Sequence, residues 1–386
     1  MSSRGVDPVS QVIGRYDEAL DDEVNARLVS RLAASPSLMI FGAGQNGGMV
    51  LRLLREAGLT PCAFVDETPA KIGQTVEGTP VIGLDAAAAK ATDAIVISSI
   101  FSPACGYLTI AARLRERGLE TVPLFRVLRA VAPTSLPFYF VDTPAQVVAG
   151  AADIAWLAER LLDRASFDLL CAQIEFRLRL DHEALPPWTT RRASPPADWP
   201  SFVLIDAGAF DGDTLLPVMA DHGARISLAL ALEPDPRNFA RLGANIAAAG
   251  PLTARRVRCV QAAVDSASGH RAFCGVGNQG SGFGDAGDLV ETVSLDDLVA
   301  AHAPGPERLY IKLDVEGAEA ATLEGAARTI VERRPFLAVS AYHRPDDLWA
   351  LPRQISRLDD RYRYLLASHG ADGADLMLYA IPPAAP

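Results

Sequence analysis

Apolar runs closed by a glycine or an acid alternate with stretches of helical spacing in two separate parts of the chain. The first part opens with LMIF, turns through GAGQNGG, and continues as MVLRLLREAG and PCAFVDE. Met49, Leu51, Leu53 and Leu54 recur at helical spacing, and Gly58 supplies the stop. DAIVISSI and TIAARLRERGLETVPLF repeat the alternation, which predicts a smaller parallel α/β domain over residues 37–130. Residues 1–36 are expected to form an N-terminal helical segment.

Residues 131–200 read differently. AQVVAGAADIAWLAERLLDRASFDLLCAQIEFRLRL has helical spacing, whereas LPPWTTRRASPPADWP is proline-rich and aperiodic, so a helical bridge followed by a linker is expected. Trp156, Phe167, Ile174 and Phe176 suit core packing better than a surface stripe for a partner. From residue 201 to 386 strands are expected at FVLID, ISLALALE, VRCVQAAV, LYIKLD, FLAVSAY, YRYLLASH and DLMLYAI, with helices between most of them. That pattern predicts a doubly wound α/β sheet of seven strands ending in a hairpin.

The chain has 386 residues, too many for one ordinary core, and a net charge of -11. No Lys/Arg run exceeds a pair, so neither nucleic acid nor an anionic membrane surface is expected as the main partner. The start lacks the apolar core of roughly 7–15 residues that a signal peptide needs. No segment reaches about 18 uninterrupted apolar residues, so a cytoplasmic protein without membrane insertion is expected. Cys62, Cys105, Cys171, Cys259 and Cys274 are scattered without a CxxC or a histidine at metal spacing, so no metal site is expected and most should be small buried hydrophobes.

The chemistry concentrates in the glycine turns. In VLIDAGAFDGDT, residues 203–214, Asp206 closes a strand, while Gly208 and Gly212 let backbone approach a ligand. Glu233 closes the next strand, where a carboxylate can accept from both hydroxyls of a ribose. NAD and S-adenosylmethionine both satisfy that much. The turn is not G-x-G-x-x-G, however, and Asp206 and Asp211 would repel a pyrophosphate while welcoming a sulfonium and an ammonium. Mere helix capping would leave two acids, two glycines and the downstream motifs as coincidence.

VLIDAGAFDGDT, ALEPDPRNFARLGANI, VETVSLDDL, YIKLDVEGAEAATLEGA and FLAVSAYHRPDDLWALP follow one another over about residues 202–360. In that order they resemble the FkbM-type S-adenosylmethionine-dependent methyltransferases. The resemblance implies a class I methyltransferase fold, with Asp206, Gly208 and Glu233 binding the cofactor and Gln261 and Ala262 near its adenine. Asp211 and Gly212 join them from the turn. Phe210 departs from the small polar residue the family often has. The resemblance also implies a small-molecule or glycan acceptor, methylated on a hydroxyl oxygen of a sugar-like or natural-product skeleton, and leaves its identity open.

An acceptor hydroxyl needs its proton taken as the bond forms. His343, just past FLAVSAY, is the expected base, and Asp314 at the end of LYIKLD should sit beside the methyl, orienting the acceptor or His343. Glu316 and Glu319 are expected only to favour a helix N-terminus. The acid cluster shows no third metal ligand at suitable spacing.

GAGQNG fits G-x-G-x-x-G with Gly42, Gly44 and Gly47, and Asp66 ends the next strand about 20 residues on. The continuation FVDETPAKIGQTVEGTPVIG resembles the small Rossmann domain at the front of polysaccharide-biosynthesis epimerases and some sugar acyltransferases. This implies a nucleotide or nucleotide-sugar there, or a retained fold with a vestigial pocket. No Tyr-x-x-x-Lys pair lies within residues 1–135 to carry hydride chemistry. The alternative function is therefore a nucleotide-sugar-binding or NAD-dependent protein of polysaccharide biosynthesis with the front domain active. Oligomeric state is left open, a homo-oligomer included.

Overall fold

Strand Ser37–Phe41 (β1) is buried at four of five positions, as a central parallel strand covered on both faces must be. In the computed structural model, which describes residues 8–90, 93–190, 192–275, 282–283 and 287–383, β1 pairs in parallel with Ala63–Val65 (β2) and Ala94–Ser98 (β5). Thr75–Val76 (β3), Thr79–Ile82 (β4) and Glu120–Pro123 (β6) complete a six-stranded sheet of order β3-β4-β2-β1-β5-β6, in which β3 and β4 run antiparallel. Met39, Val65, Val96, Ile110 and Leu114 fill its core. Helix Gln45–Glu56 buries Val50, Leu51 and Leu54. This is the smaller Rossmann-like domain. Residues 1–7 of the expected N-terminal segment lie outside the described residues; beyond them, helix Glu18–Ala34 is capped by Asp17.

Contacts group the chain into two compact units. The first comprises Met1–Ala155, Phe167–Thr190 and Ser368–Leu376; the second comprises Trp156–Ser166, Arg191–Ala367 and Met377–Pro386. Ile174 and Phe176 of the expected bridge are buried in the first unit, while Trp156 and Phe167 are half-buried.

The second unit is built on Phe202–Ala207 (β7), Ile226–Leu232 (β8) and Val257–Val260 (β9). Sequence continuity made VRCVQAAV one strand, but the chain leaves the sheet after Val260. Ala263–Val264 (β10) instead joins Gly269–Cys274 (β11), Gly282–Phe283 (β12) and Asp288–Val293 (β13) in a separate four-stranded sheet. Arg308–Leu313 (β14), Phe336–Ser340 (β15), Arg363–Ser368 (β16) and Leu376–Ile381 (β17) then complete a seven-stranded sheet of order β16-β17-β15-β14-β7-β8-β9. β17 runs antiparallel to β15, and the strands from β15 to β9 are parallel. This is the expected doubly wound sheet of seven strands. Its direction of winding reverses between β7 and β14, which opens a crevice past their carboxyl ends.

The cysteines depart from expectation. All five are free; Cys62 and Cys274 are exposed, and the other three are half-buried. Among the described residues no helix is long and apolar enough to cross a membrane.

Candidate active site

β14 carries a lysine inside an otherwise apolar buried run. Its register supplies the reason: Lys312 pairs with Asp206 across β14 and β7, so both side chains leave the same face of the sheet. Lys312 Nζ lies 3.0 Å from Asp206 Oδ1 and 3.6 Å from Asp314 Oδ2, and donates to the Gly208 carbonyl at 2.8 Å. Burial alone would discharge the ammonium, but Asp206, Asp314 and Asp213 reverse that and hold its pKa above the usual lysine value. The buried cation thus ties the ends of β7 and β14 to the turn between them and the ligand crevice.

Glycine is required at the turn's first bend. Gly208 has φ +76°, and a Cβ there would stand 1.8 Å from the Asp314 carbonyl oxygen. Gly212 has φ +93°. Phe210 adopts φ 48°, the left-handed region that asparagine tolerates and a bulky side chain resists. Its backbone N–H donates to Glu233 Oε2 at 2.9 Å, so the acid at the end of β8 holds the turn in that conformation. Glu233 Oε1 also accepts from Asp235 N at 2.9 Å and Asn238 Nδ2 at 3.4 Å. Burial pushes its carboxyl upward.

The crevice is lined by Gly208, Phe210 and Asp213 of the turn, Glu233 and Asn238 beyond β8, the β10 segment Ala262–Val264 with Phe273, and Asp314–Glu316 beyond β14. Among the described residues no lysine or arginine lines it. Deeper on the β14 side, His343 Nδ1 donates to Glu319 Oε1 at 2.7 Å, and its Nε2 faces Asp314 Oδ1 at 3.6 Å and Glu316 Oε2 at 3.7 Å. Ser340 Oγ holds Asp314 Oδ1 at 2.7 Å.

Residues 206–371 match the family model of the methyltransferase FkbM domain. A crystal structure of a methyltransferase FkbM from Methylobacillus flagellatus KT matches with a TM-score of 0.73 and 23% identity, over 97% of this chain and 95% of that one. A precorrin-6y C5,15-methyltransferase from Geobacter metallireducens GS-15 aligns with a TM-score of 0.29 and 16% identity, over 48% of this chain and 82% of that one. No curated protein matches.

Of the expected site residues, Gly208, Glu233, Ala262 and Asp314 line the crevice. Asp206 does not: it is 1% exposed, beneath the turn and against Lys312. Asp211 and Gly212 are not among the crevice-lining residues, and Gln261 is exposed outside it. Asp213 takes the place given to Asp211, because three left-handed residues in five rotate the turn. Asn238 and Phe273 were missed; Asn238 falls one helical turn after the Asp235 cap, a signal the sequence does contain.

His343, the expected base, stands among three carboxylates. Burial opposes a charge on it, yet Glu319, Asp314 and Glu316 more than offset that and push its pKa up to about 10. The three carboxylates thus favour the imidazolium form, which has no lone pair for a proton. Glu319, expected only to favour a helix, is 1% exposed and bonds both His343 and the Val315 N–H at 2.9 Å. The fold also supplies the third group that spacing did not: ligand atoms of Asp314, Glu319 and His343 lie within 4.8 Å of one another.

In the first unit, Gly42 has φ +99°, and a Cβ at Gly47 would fall 2.0 Å from the Gly42 carbonyl oxygen, so both glycines serve the turn's own packing. Space above Gly44 is open. Asp66 accepts from Ala43 N at 2.8 Å, Thr68 N at 2.9 Å and Lys71 Nζ at 3.0 Å. Burial would raise its pKa, but these donors draw it down to about 2. Its carboxylate is engaged by its own loop, and nothing in this geometry favours a nucleotide reading over a structural one.

Proposed function

We propose that the FkbM domain moves a methyl group from S-adenosylmethionine to a hydroxyl oxygen of a sugar-like or natural-product acceptor. The observation that carries this is the charge of the crevice lining: Asp213, Glu233, Asp314 and Glu316 line it, no lysine or arginine does so among the described residues, and the cations near these acids, Lys312 and His343, stand behind the lining. Such a lining suits a ligand bearing a sulfonium and an ammonium and opposes a pyrophosphate. Glu233 and Asn238 would hold the ribose, and Ala262, Val264 and Phe273 offer an apolar slot for the adenine. S-adenosylmethionine, when bound, supplies an electrophilic methyl on a cationic sulfur.

The chain's own residues handle the acceptor. Asp314 lines the crevice beyond β14, beside the turn, and keeps 31% of its side chain in solvent. Burial would raise its pKa, but Lys312 and His343 outweigh this and keep it below the usual aspartate value. It is therefore an ionised acceptor that orients an incoming hydroxyl and takes its proton as the new C–O bond forms. His343 holds Asp314 in place and does not itself touch the acceptor.

Calorimetry with S-adenosylmethionine and with its demethylated product tests the first step; failure of both to bind sinks the reading. For the second, a 13C-methyl-labelled cofactor incubated with hydroxylated acceptors should give a product whose methyl resonance is that of a methyl ether. A methylamine resonance would remove the oxygen assignment. Asp314→Asn should lower turnover by about 10²–10⁴-fold with cofactor affinity near wild type.

A further inference from the structure

The first unit contains a cavity of about 310 Å³, at the small end of ligand sites. All its lining residues belong to that unit. At its floor Gln173 is 0% exposed, and neither its amide nitrogen nor its amide oxygen has a hydrogen-bond partner among the described residues. Folded chains rarely bury an amide in that state without a reason. Gly373, at φ +81°, forms the wall beside it; a Cβ there would come within 3.3 Å of the Gln173 oxygen and 3.1 Å of Phe140.

Beside Gln173 stands a second incomplete pair. His182 Nε2 and Asp372 Oδ1 are 4.0 Å apart, too far for a direct hydrogen bond. Both are fixed in place. The His182 ring is held among Tyr107 at 4.7 Å, Phe176 at 4.9 Å and Phe125 at 6.1 Å. Asp372 Oδ2 accepts from Tyr107 N at 2.7 Å. Burial draws the His182 pKa down to about 4 and pushes the Asp372 carboxyl up to about 6. At neutral pH the cavity thus presents a neutral imidazole, a carboxylate and an amide. Trp188, 48% exposed, forms the rim with Pro186 and Pro187.

We propose that this cavity binds a neutral hydroxylated ring, a single monosaccharide unit, whose hydroxyls pair with Gln173, His182 and Asp372 while Trp188 covers a ring face at the mouth. A hydroxyl both donates and accepts, so it can bridge a histidine nitrogen and a carboxylate oxygen 4.0 Å apart at ordinary hydrogen-bond lengths on each side. The primary amide pairs with a second hydroxyl in the same way. With no lysine or arginine in the lining among the described residues, a phosphate or nucleotide meets no counter-charge from them. The site shares no residue with the Gly42–Gly47 turn or with the FkbM crevice, so it stands whether or not methyl transfer is correct.

The probes are the methyl α-glycosides of glucose, galactose and mannose at roughly 10 mM, enough to fill a millimolar site. Saturation-transfer NMR on the full chain should show transfer to the ring protons of at least one, with quenching of tryptophan fluorescence. Gln173→Leu and Trp188→Ala should each weaken binding by about tenfold or more, with affinity for S-adenosylmethionine unchanged. Trp188 lies at the half-exposed rim, so its variant carries the test if Gln173→Leu fails to fold. The proposal is overturned by no transfer to any of the three glycosides, or by transfer that Trp188→Ala leaves unchanged. Binding of glucosamine alone would mark an amine site and overturn it too; Gln173 satisfied by ordered water only would appear as the first of these results.

Discussion

Replacing Lys312 by methionine removes the cation between the buried Asp206 and the half-buried Asp314 while keeping the side chain's length and apolar stem. Asp206, with a side chain 2% exposed, then has no partner at 3.0 Å. A buried carboxylate in that position takes a proton instead of staying charged. From an unfolded value of about 3.9, protonating it at pH 7 costs about 4 kcal/mol, at 1.36 kcal/mol per pH step. The Gly208 carbonyl also loses its 2.8 Å donor, which adds about 1 kcal/mol. The sum, about 5 kcal/mol, meets the upper end of the range for breaking a buried ion pair, about 3–5 kcal/mol.

The same arithmetic fixes a pH dependence. Burial already raises the folded-state pKa of Asp206 with Lys312 in place, and loss of the cation raises it further, so in the variant folding binds a proton and stability falls as pH rises. At pH 5 the protonation cost is only about 1.5 kcal/mol, so the destabilisation should shrink by about 2.5 kcal/mol between pH 7 and pH 5. Adding Asp206→Leu removes the orphaned acid and should restore all but about 1–2 kcal/mol. Urea melts followed by tryptophan fluorescence report this, since Trp156, Trp199 and Trp349 all lie in the second unit. A loss below about 1 kcal/mol at pH 7, or one that grows on acidification, would refute the buried-pair account.

Glu233→Ala should weaken S-adenosylmethionine binding by about 1.5–3 kcal/mol, because it removes the diol acceptor and the bond that holds Phe210; calorimetry decides. Gly208→Ala places a methyl 1.8 Å from the Asp314 carbonyl and should abolish cofactor binding with a lowered melting temperature, and a variant that binds normally would contradict the close approach. His343 should remain protonated through neutral pH and lose its proton only near pH 10, earlier in Glu319→Gln, as read by imidazole NMR shifts. Its folded pKa is raised, so its contribution to stability is complete below about pH 6.5 and disappears as pH climbs through about 10; His343→Gln should therefore matter least at alkaline pH.

How much was legible follows from how local each determinant is. The seven strands could be read because β7 and β15 are buried at every position and so appear as unbroken apolar runs. The β10–β13 sheet could not, since GHRAFC is exposed at four of its six positions and leaves no apolar period to follow. The break after Val260 was hidden for the opposite reason: Ala262, Ala263 and Val264 continue the apolar run while the chain changes sheets.

The acids divide along the same line. That strand-end carboxylates would gather at the crevice was readable from position alone, but the choice among Asp206, Asp211 and Asp213 depends on backbone rotation at Gly208, Phe210 and Gly212. Composition leaves that rotation free at the glycines and argues against it at Phe210. The protonation of His343 is less local still, since Glu319 precedes it by 24 residues and meets it only through the fold. One signal did lie in plain view. A lysine in the middle of LYIKLD cannot be buried alone, and parallel register leaves the neighbouring strand's own acid, Asp206, as the natural partner. Followed through, that pairing takes Asp206 out of the ligand's reach, locks Gly208 against β14, and leaves Asp314 as the end-of-strand acid still facing the crevice.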